Sequence, residues 1–302
     1  MPEEKTKLPI VCLQVRVARW PGQTKLKAED INLEDGDVAD NVVLGHRKLY
    51  PEDWRKRFSS VQTKAIAYLK HNSLPFILET VRAVPRMRID KIVTNLNAFK
   101  SQYMDLVEEF INSREEIIQQ MTQDFPDTFN ESDFPERAKL RKKFKMWWVI
   151  FEVKGPDTTE LDSAELSAAF NQAQSEVNEK LAQFVEESVT LLRKKISQVV
   201  EGLSEKLAEG KVIKNTSLES VRNIHAWFKE LNVFGDKDID SALDKLKAAL
   251  PQDAAFFKNN KDLQMQVSKL ADEVAKKAAV LDDLGQISAK YVRVVDLEEE
   301  AA

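Results

Sequence analysis

The sequence predicts a mainly α protein: a small α+β head with one long helix, and a long antiparallel, coiled-coil-like helical body. Three observations carry this. A single helical pattern of about 45 residues, roughly 70 Å if unbroken, runs from Asp162 to Leu207. Only 8 of 302 residues are glycine, which suits helices joined by few tight turns. The strand-like apolar runs lie mostly before residue 156. The expected division is therefore a head over 1–156 and a body over 157–302, with a final strand as a candidate to return to the head.

The head opens on an alternation. Val11, Leu13, Val15 and Val17 lie opposite Cys12, Gln14, Arg16 and Ala18, the pattern of a half-buried strand that Pro21-Gly22 closes after Trp20. Asp30, Glu34, Asp35, Asp37 and Asp40 then cluster around Gly36. Asp35-Gly36-Asp37 resembles part of a calcium loop but lacks the glutamate at its twelfth position, so a solvated loop is expected. Val42-Val43-Leu44 leads to Gly45, which supplies a positive φ or a close backbone approach before the run His46-Arg47-Lys48-Leu49-Tyr50. Pro51-Glu52-Asp53 starts a helix whose face is Trp54, Phe58, Val61, Ala65 and Leu69. The run Phe76–Val81, up to Pro85, is short, apolar and β-branched and reads as a strand.

A second long helix is expected from Ile89 to about Met121, with Ile92, Leu96, Phe99, Tyr103, Leu106 and Phe110 stepping by threes and fours. Pro135-Glu136 opens a basic helix with Arg137, Lys139, Arg141, Lys142, Lys143 and Lys145. Met146 to Phe151 follows, six consecutive apolar residues that read as a buried strand. Lys154 to Thr159 is a linker. In the body, Asp162 and Glu165 form the expected cap of the organising helix, whose stripe is Phe170, Ala173, Val177, Leu181, Phe184, Leu192, Ile196, Val199, Leu203 and Leu207. The stripe has a gap at Ser188 and a second track at Val185, Val189 and Val200; Gly210 ends it. Shorter helices follow: one capped by Thr216-Ser217-Leu218-Glu219, one from Asp238 to Pro251, and one from Asp262 to Leu284. Lys290 to Val295 is the candidate last strand, and Glu298-Glu299-Glu300 an acidic tail.

Composition narrows the function classes. A net charge of -5 gives no general reason to expect a nucleic-acid partner. The single cysteine, Cys12, rules out an intrachain disulfide, and no apolar run approaches the ~20 residues that span a bilayer. With no leader-like start, the expectation is a soluble cytoplasmic protein without membrane contact. His46, His71 and His225 are isolated from one another, Cys12 has no histidine nearby, and no phosphate-cradling glycine loop occurs. Catalytic, cofactor and metal residues are therefore expected to be absent. The one patch with nucleic-acid character is Arg137–Lys145 followed by Trp147 and Trp148; the competing reading is a solvated basic face, or one that docks an acidic protein.

Val11 to Trp20, Lys25-Leu26-Lys27-Ala28-Glu29-Asp30 and Leu44-Gly45-His46-Arg47-Lys48-Leu49-Tyr50-Pro51-Glu52 together resemble the opening of the domain-of-unknown-function 3150 family. Its members start with an apolar strand, a "KL…ED" turn and an "LGxKxLxxPE"-like segment. The long helix that follows, the aromatic segment Phe144–Phe151 and the step Asn232-Val233-Phe234 are also similar. His46-Arg47-Lys48 departs from the family, which has a small residue before the basic pair. The resemblance brings no catalytic motif. It implies a context: members are encoded in bacteria and phages beside MoxR-type AAA+ ATPases and CobT-like von Willebrand factor A proteins. A non-enzymatic adaptor or scaffold for such partners, in the cytoplasm of a bacterial host, is thus the first expectation. Docking is expected through Gly45, His46, Arg47, Lys48 and Tyr50. The alternatives are a self-assembling helical protein of a phage or mobile element, hence a homo-oligomer, and a nucleic-acid-binding module.

Overall fold

The computed structural model describes residues 8–26, 45–153, 164–258 and 260–291. Several expectations fall outside these residues: the Asp30–Asp40 acidic stretch, Val42–Leu44, the 154–159 linker, the Asp162 cap, the side chain of Phe170, the strand beyond Tyr291 and the acidic tail. The protein is mainly α with a small antiparallel sheet. Its strands are β1 (Ile10–Ala18), β4 (Leu74–Pro75), β5 (Arg82–Pro85) and β6 (Lys145–Phe151), in the order β4-β5-β1-β6. A separate ribbon joins β2 (Gln23–Lys25) to β3 (His46–Lys48).

The chain divides into two compact units, and the expected boundary at 156/157 becomes a discontinuous one. A bundle unit comprises Met1–Cys12, Asn72–Met87 and Phe151–Ala302; an aromatic unit comprises Leu13–His71 and Arg88–Ile150. Each has its own core.

In the aromatic unit, α1 (Glu52–His71) buries Phe58, Ala65 and Leu69, three of the five residues expected on its inner face. The single helix expected over 89–121 is two: α2 (Ile89–Asn112) and α3 (Arg114–Asp124), parted at Ser113. Asn112-Ser113 are weak helix formers whose side chains compete for backbone hydrogen bonds, so the break falls there. The basic helix shrinks to α4 (Arg137–Arg141).

In the bundle unit, α5 (Ala164–Ala208) is the 45-residue helix that organises its surroundings. Its stripe is buried from Leu181 to Leu207 except at half-buried Val199, whereas Ala173 is exposed and Val177 half-buried. Gly210 ends it at φ +66, the left-handed conformation that favours glycine. Helix α6 (Asn215–Leu231) returns along α5: Lys206 bonds Ser217, and Lys195 lies 4.7 Å over the Trp227 ring. The expected capping box is unused, since Lys214 is the cap and no side chain bonds there. Helix α7 (Lys237–Ala249) is capped by Asp236, and α8 (Lys261–Ala279) by Asn260. Pairs descending along α8 as α5 ascends make these two antiparallel: Ser204 meets Ser268 and Asp272, while Arg193 meets Asp283 beyond the end of α8. Contacts of α5 with α6, α6 with α7, α7 with α8 and α8 with α5 close an up-down-up-down four-helix arrangement. The last helix was expected to reach Leu284; α8 ends at Ala279, Leu281 is exposed, and a short α9 (Leu284–Ser288) follows.

Of the strand expected from Phe76 up to Pro85, only Arg82–Pro85 forms one, β5, and Phe76–Val81 is a turn. Strands β4 and β5 pair antiparallel, Leu74 with Ala83 and Pro75 with Arg82, with Thr80 at φ +65 and Leu78 exposed between them. Phe76 packs edge-to-face on Phe184 at 5.0 Å, and Val81 is buried.

Candidate interaction surface

The ribbon that carries the family-like segment is a tight local construction. Gln23 pairs with Lys48, Thr24 with Arg47 and Lys25 with His46. Gly45 sits at φ +90, and its carbonyl accepts from Leu26 N at 3.2 Å. Gly22 is the more demanding glycine. At φ +57, a Cβ there would lie 1.8 Å from Cε1 of Tyr50. The Tyr50 ring is buried against Trp20 at 5.5 Å and Phe110 at 5.2 Å, and its hydroxyl donates to the Trp20 carbonyl at 3.3 Å. Gly22→Ala is therefore expected to cost about 2–4 kcal/mol, through left-handed strain and overpacking of a ring with nowhere to go. Urea unfolding measures this; an unchanged midpoint contradicts it.

This geometry sorts the five residues expected to dock a partner. Tyr50 belongs to the core. Arg47 turns inward and donates to the Thr128 carbonyl and the Asp133 carboxylate. Lys48 is exposed and pairs with Glu52 at 2.9 Å, while Arg55 Nε holds the same carboxylate at 2.7 Å. The hydrogen bond from Arg55, then that from Lys48, lowers the Glu52 carboxyl to about 2. His46 is exposed. The outward part of the segment is thus His46 and Lys48, with Gly45 shaping the backbone.

The basic patch is also divided. Arg137 is bound by Glu115, Arg141 by Glu108 through Nε at 2.8 Å, and Lys139 pairs with Glu136 at 3.4 Å. Hydrogen bonds from Arg141 and Arg137 hold the Glu108 and Glu115 carboxyls below the usual range. Lys142, Lys143 and Lys145 are exposed and form no ion pair with any described residue.

Strand β6 corrects the expectation of burial. Phe144 and Met146 enter the aromatic core, but Trp147, Val149 and Ile150 are 42%, 48% and 43% exposed. Trp148 is half-buried, with Lys100 Nζ 5.7 Å from its ring centroid. Successive side chains alternate between the two faces, so Trp147 and Val149 point away from the core that Met146 enters, while Ile150, on the side of Met146, lies exposed near the strand's end.

Other chemistry-bearing residues serve packing. Burial pushes the Cys12 thiol up to about 11, far from a thiolate nucleophile at neutral pH. His225 is buried and meets Asp244 Oδ1 at 2.7 Å, between α6 and α7. The residue sequence reasoning missed is Arg193, 2% exposed, inside α5. Its Nε donates to Asp236 Oδ2 at 2.7 Å, and its two terminal nitrogens donate to Asp283 at 2.7 and 2.6 Å. Among the described residues no cluster of His, Cys, Asp and Glu is arranged to hold a metal ion, and no helix is long and apolar enough to cross a membrane.

A family model described as a protein of unknown function (DUF3150) matches residues 8–250, most of the chain. No curated protein and no solved structure gave a match.

Proposed function

We propose, from the premise that this chain belongs to the DUF3150 family, that it is a non-enzymatic adaptor or scaffold working with a MoxR-type AAA+ ATPase and a von Willebrand factor A protein. The family context supplies the partners, and the cytoplasm of a bacterial host is where they would meet. The observation that carries the interaction role is the strip on the aromatic unit. Apolar Trp147, Val149 and Ile150 are exposed beside Lys142, Lys143 and Lys145. Contiguous apolar surface rimmed by charge is what a docking site requires. In the bundle unit, α5 and α8 act as a coiled-coil-like pair whose stability keeps the scaffold rigid.

The test is co-purification of the chain with the ATPase and the von Willebrand factor A protein encoded beside it, with and without ATP. Retention of at least one partner is expected. His46→Glu/Lys48→Glu should leave the fold intact, because both side chains are exposed, and should slow association where the partner is acidic. Arg47 is left in place, since it holds Asp133. If the wild-type chain retains neither protein under either condition, the adaptor role fails. Light scattering on the isolated chain addresses self-assembly separately.

A further inference from the structure

We infer that the outer edge of β6 is a strand-addition site for an extended, acidic segment of a partner protein. The inference rests on the interaction role proposed above and names its mode and chemistry.

Strand β6 pairs with β1 on one side, and no described strand lies on the other. Proteins guard such edges with charges, prolines or bulges inside the strand. From Met146 to Phe151 this strand has none: six apolar residues in sequence, five of them aromatic or β-branched. Among the described residues the edge thus offers main-chain donors and acceptors that no strand pairs, together with exposed Trp147, Val149 and Ile150 as side-chain footholds. An unguarded edge of this composition is an aggregation hazard unless a partner strand covers it.

Charge selects the occupant. Lys142, Lys143 and Lys145 precede the edge, exposed and without ion pairs among the described residues. Arg16 is exposed on β1; its neighbours Val15 and Val17 pack on the aromatic core, so it shares the outward face with Trp147 and Val149. Four cations around an apolar edge complement a strand that alternates apolar residues with Asp or Glu. A nucleic acid is the poorer fit. The arginines best shaped for phosphate, Arg137 and Arg141, are both held by glutamates, and among the aromatic side chains of the strand only Trp147 is well exposed. Valine and isoleucine offer nothing to a base but pack well on a neighbouring strand.

The test uses the full chain and a synthetic peptide alternating valine with glutamate, its lysine-for-glutamate counterpart, and single-stranded DNA. Binding is followed by tryptophan fluorescence. The acidic peptide is expected to bind and the basic one not. Lys142→Glu/Lys143→Glu/Lys145→Glu should weaken binding at least about tenfold, and Trp147→Ser should weaken it too. Backbone N-methylation of the peptide gives the sharpest arm. Methyl groups on residues of one parity should abolish binding, and on the other parity should leave it intact, because only alternate amides face the edge. Equal tolerance of both parities, failure of the acidic peptide to bind, or DNA binding through the same lysines overturns the inference. So does a concentration-dependent dimer dispersed by Trp147→Ser, which would assign the edge to a second copy. Co-purification with an ATPase that survives while the peptide fails would sink this inference alone; peptide binding without co-purification would sink only the ATPase assignment.

Discussion

Arg193→Met is expected to destabilise the bundle unit by about 3–5 kcal/mol, the usual cost of removing one partner from a buried ion pair. The guanidinium and the Asp236 carboxylate are each 2% exposed. Without the arginine, Asp236 is left as an uncompensated buried charge. Asp236 also caps α7, accepting from Ile239 N at 3.3 Å, and its own amide donates to Asn232 at 2.8 Å. One residue thus ties the middle of α5 to the α6–α7 turn, and through Asp283 and the Val280 carbonyl to the α8–α9 turn. Burial alone would lower the Arg193 pKa; hydrogen bonds with Asp283 and Asp236 outweigh it and raise the value, so the group stays charged. Arg193→Met/Asp236→Leu should recover part of the loss, because a matched apolar pair leaves no orphan charge. Equal stability of wild type and Arg193→Met in urea unfolding would refute the assignment. A pH arm follows from Asp283. Its hydrogen bond from Arg193 depresses its carboxyl below the ordinary 3.8. A depressed carboxyl contributes stability that is complete above the unfolded value and is lost as pH falls below 3.8 through the folded value. Stability of the wild type should therefore fall more steeply below pH 3.8 than that of Asp283→Asn.

Arg193 also shows what the sequence offered and where it stopped. Val185, Val189 and Val200 form the second apolar track of the long helix, and 193 is the next step of four after 189. A cation on that track signals a buried charge, but its carboxylate partners lie 43 and 90 residues away, and spacing along one helix cannot find them. The long helix itself was legible because about twelve turns of a nearly regular pattern leave little ambiguity. Met146 to Phe151 was misread for the opposite reason. A run without polar residues contains no alternation, so it cannot say which face is covered; the elements packed on the sheet decide that, and here the aromatic cluster takes Met146. Phe76–Val81 was read as the start of a strand that begins only at Arg82, because an apolar turn between two short strands looks like part of one of them. At the ribbon, the importance of Gly45 could be read from its place before a basic run. That Arg47 and Tyr50 would be spent on Asp133 and Trp20 could not, because both partners are long-range.

Phe110→Ala is expected to cost the aromatic unit about 3–5 kcal/mol, the range for removing a buried ring. Phe110 is fully buried on α2 at the centre of an aromatic cluster. Its ring lies 5.2 Å from Tyr50, 5.2 Å from Trp54, 5.5 Å from Phe58 and 5.8 Å from Phe144, all edge-to-face. Trp20 and Phe134 stand slightly farther, at 6.4 and 6.2 Å. Edge-to-face pairs at such distances add to area burial, and here one ring takes part in several of them at once. The neighbours come from β1's exit, the ribbon, α1 and the segment leading into β6, so they cannot all close on the cavity without shifting backbone. That rigidity places the cost at the upper end of the range, whereas Phe110→Leu, which retains most of the volume, should cost clearly less. Tryptophan fluorescence is a direct monitor, because Trp20 and Trp54 both touch the ring. A red shift before unfolding, together with a lowered urea midpoint, is the expected result for alanine. If alanine and leucine both leave the midpoint at the wild-type value, Phe110 is not the centre of this core, and the assignment of Tyr50 to packing loses its main support.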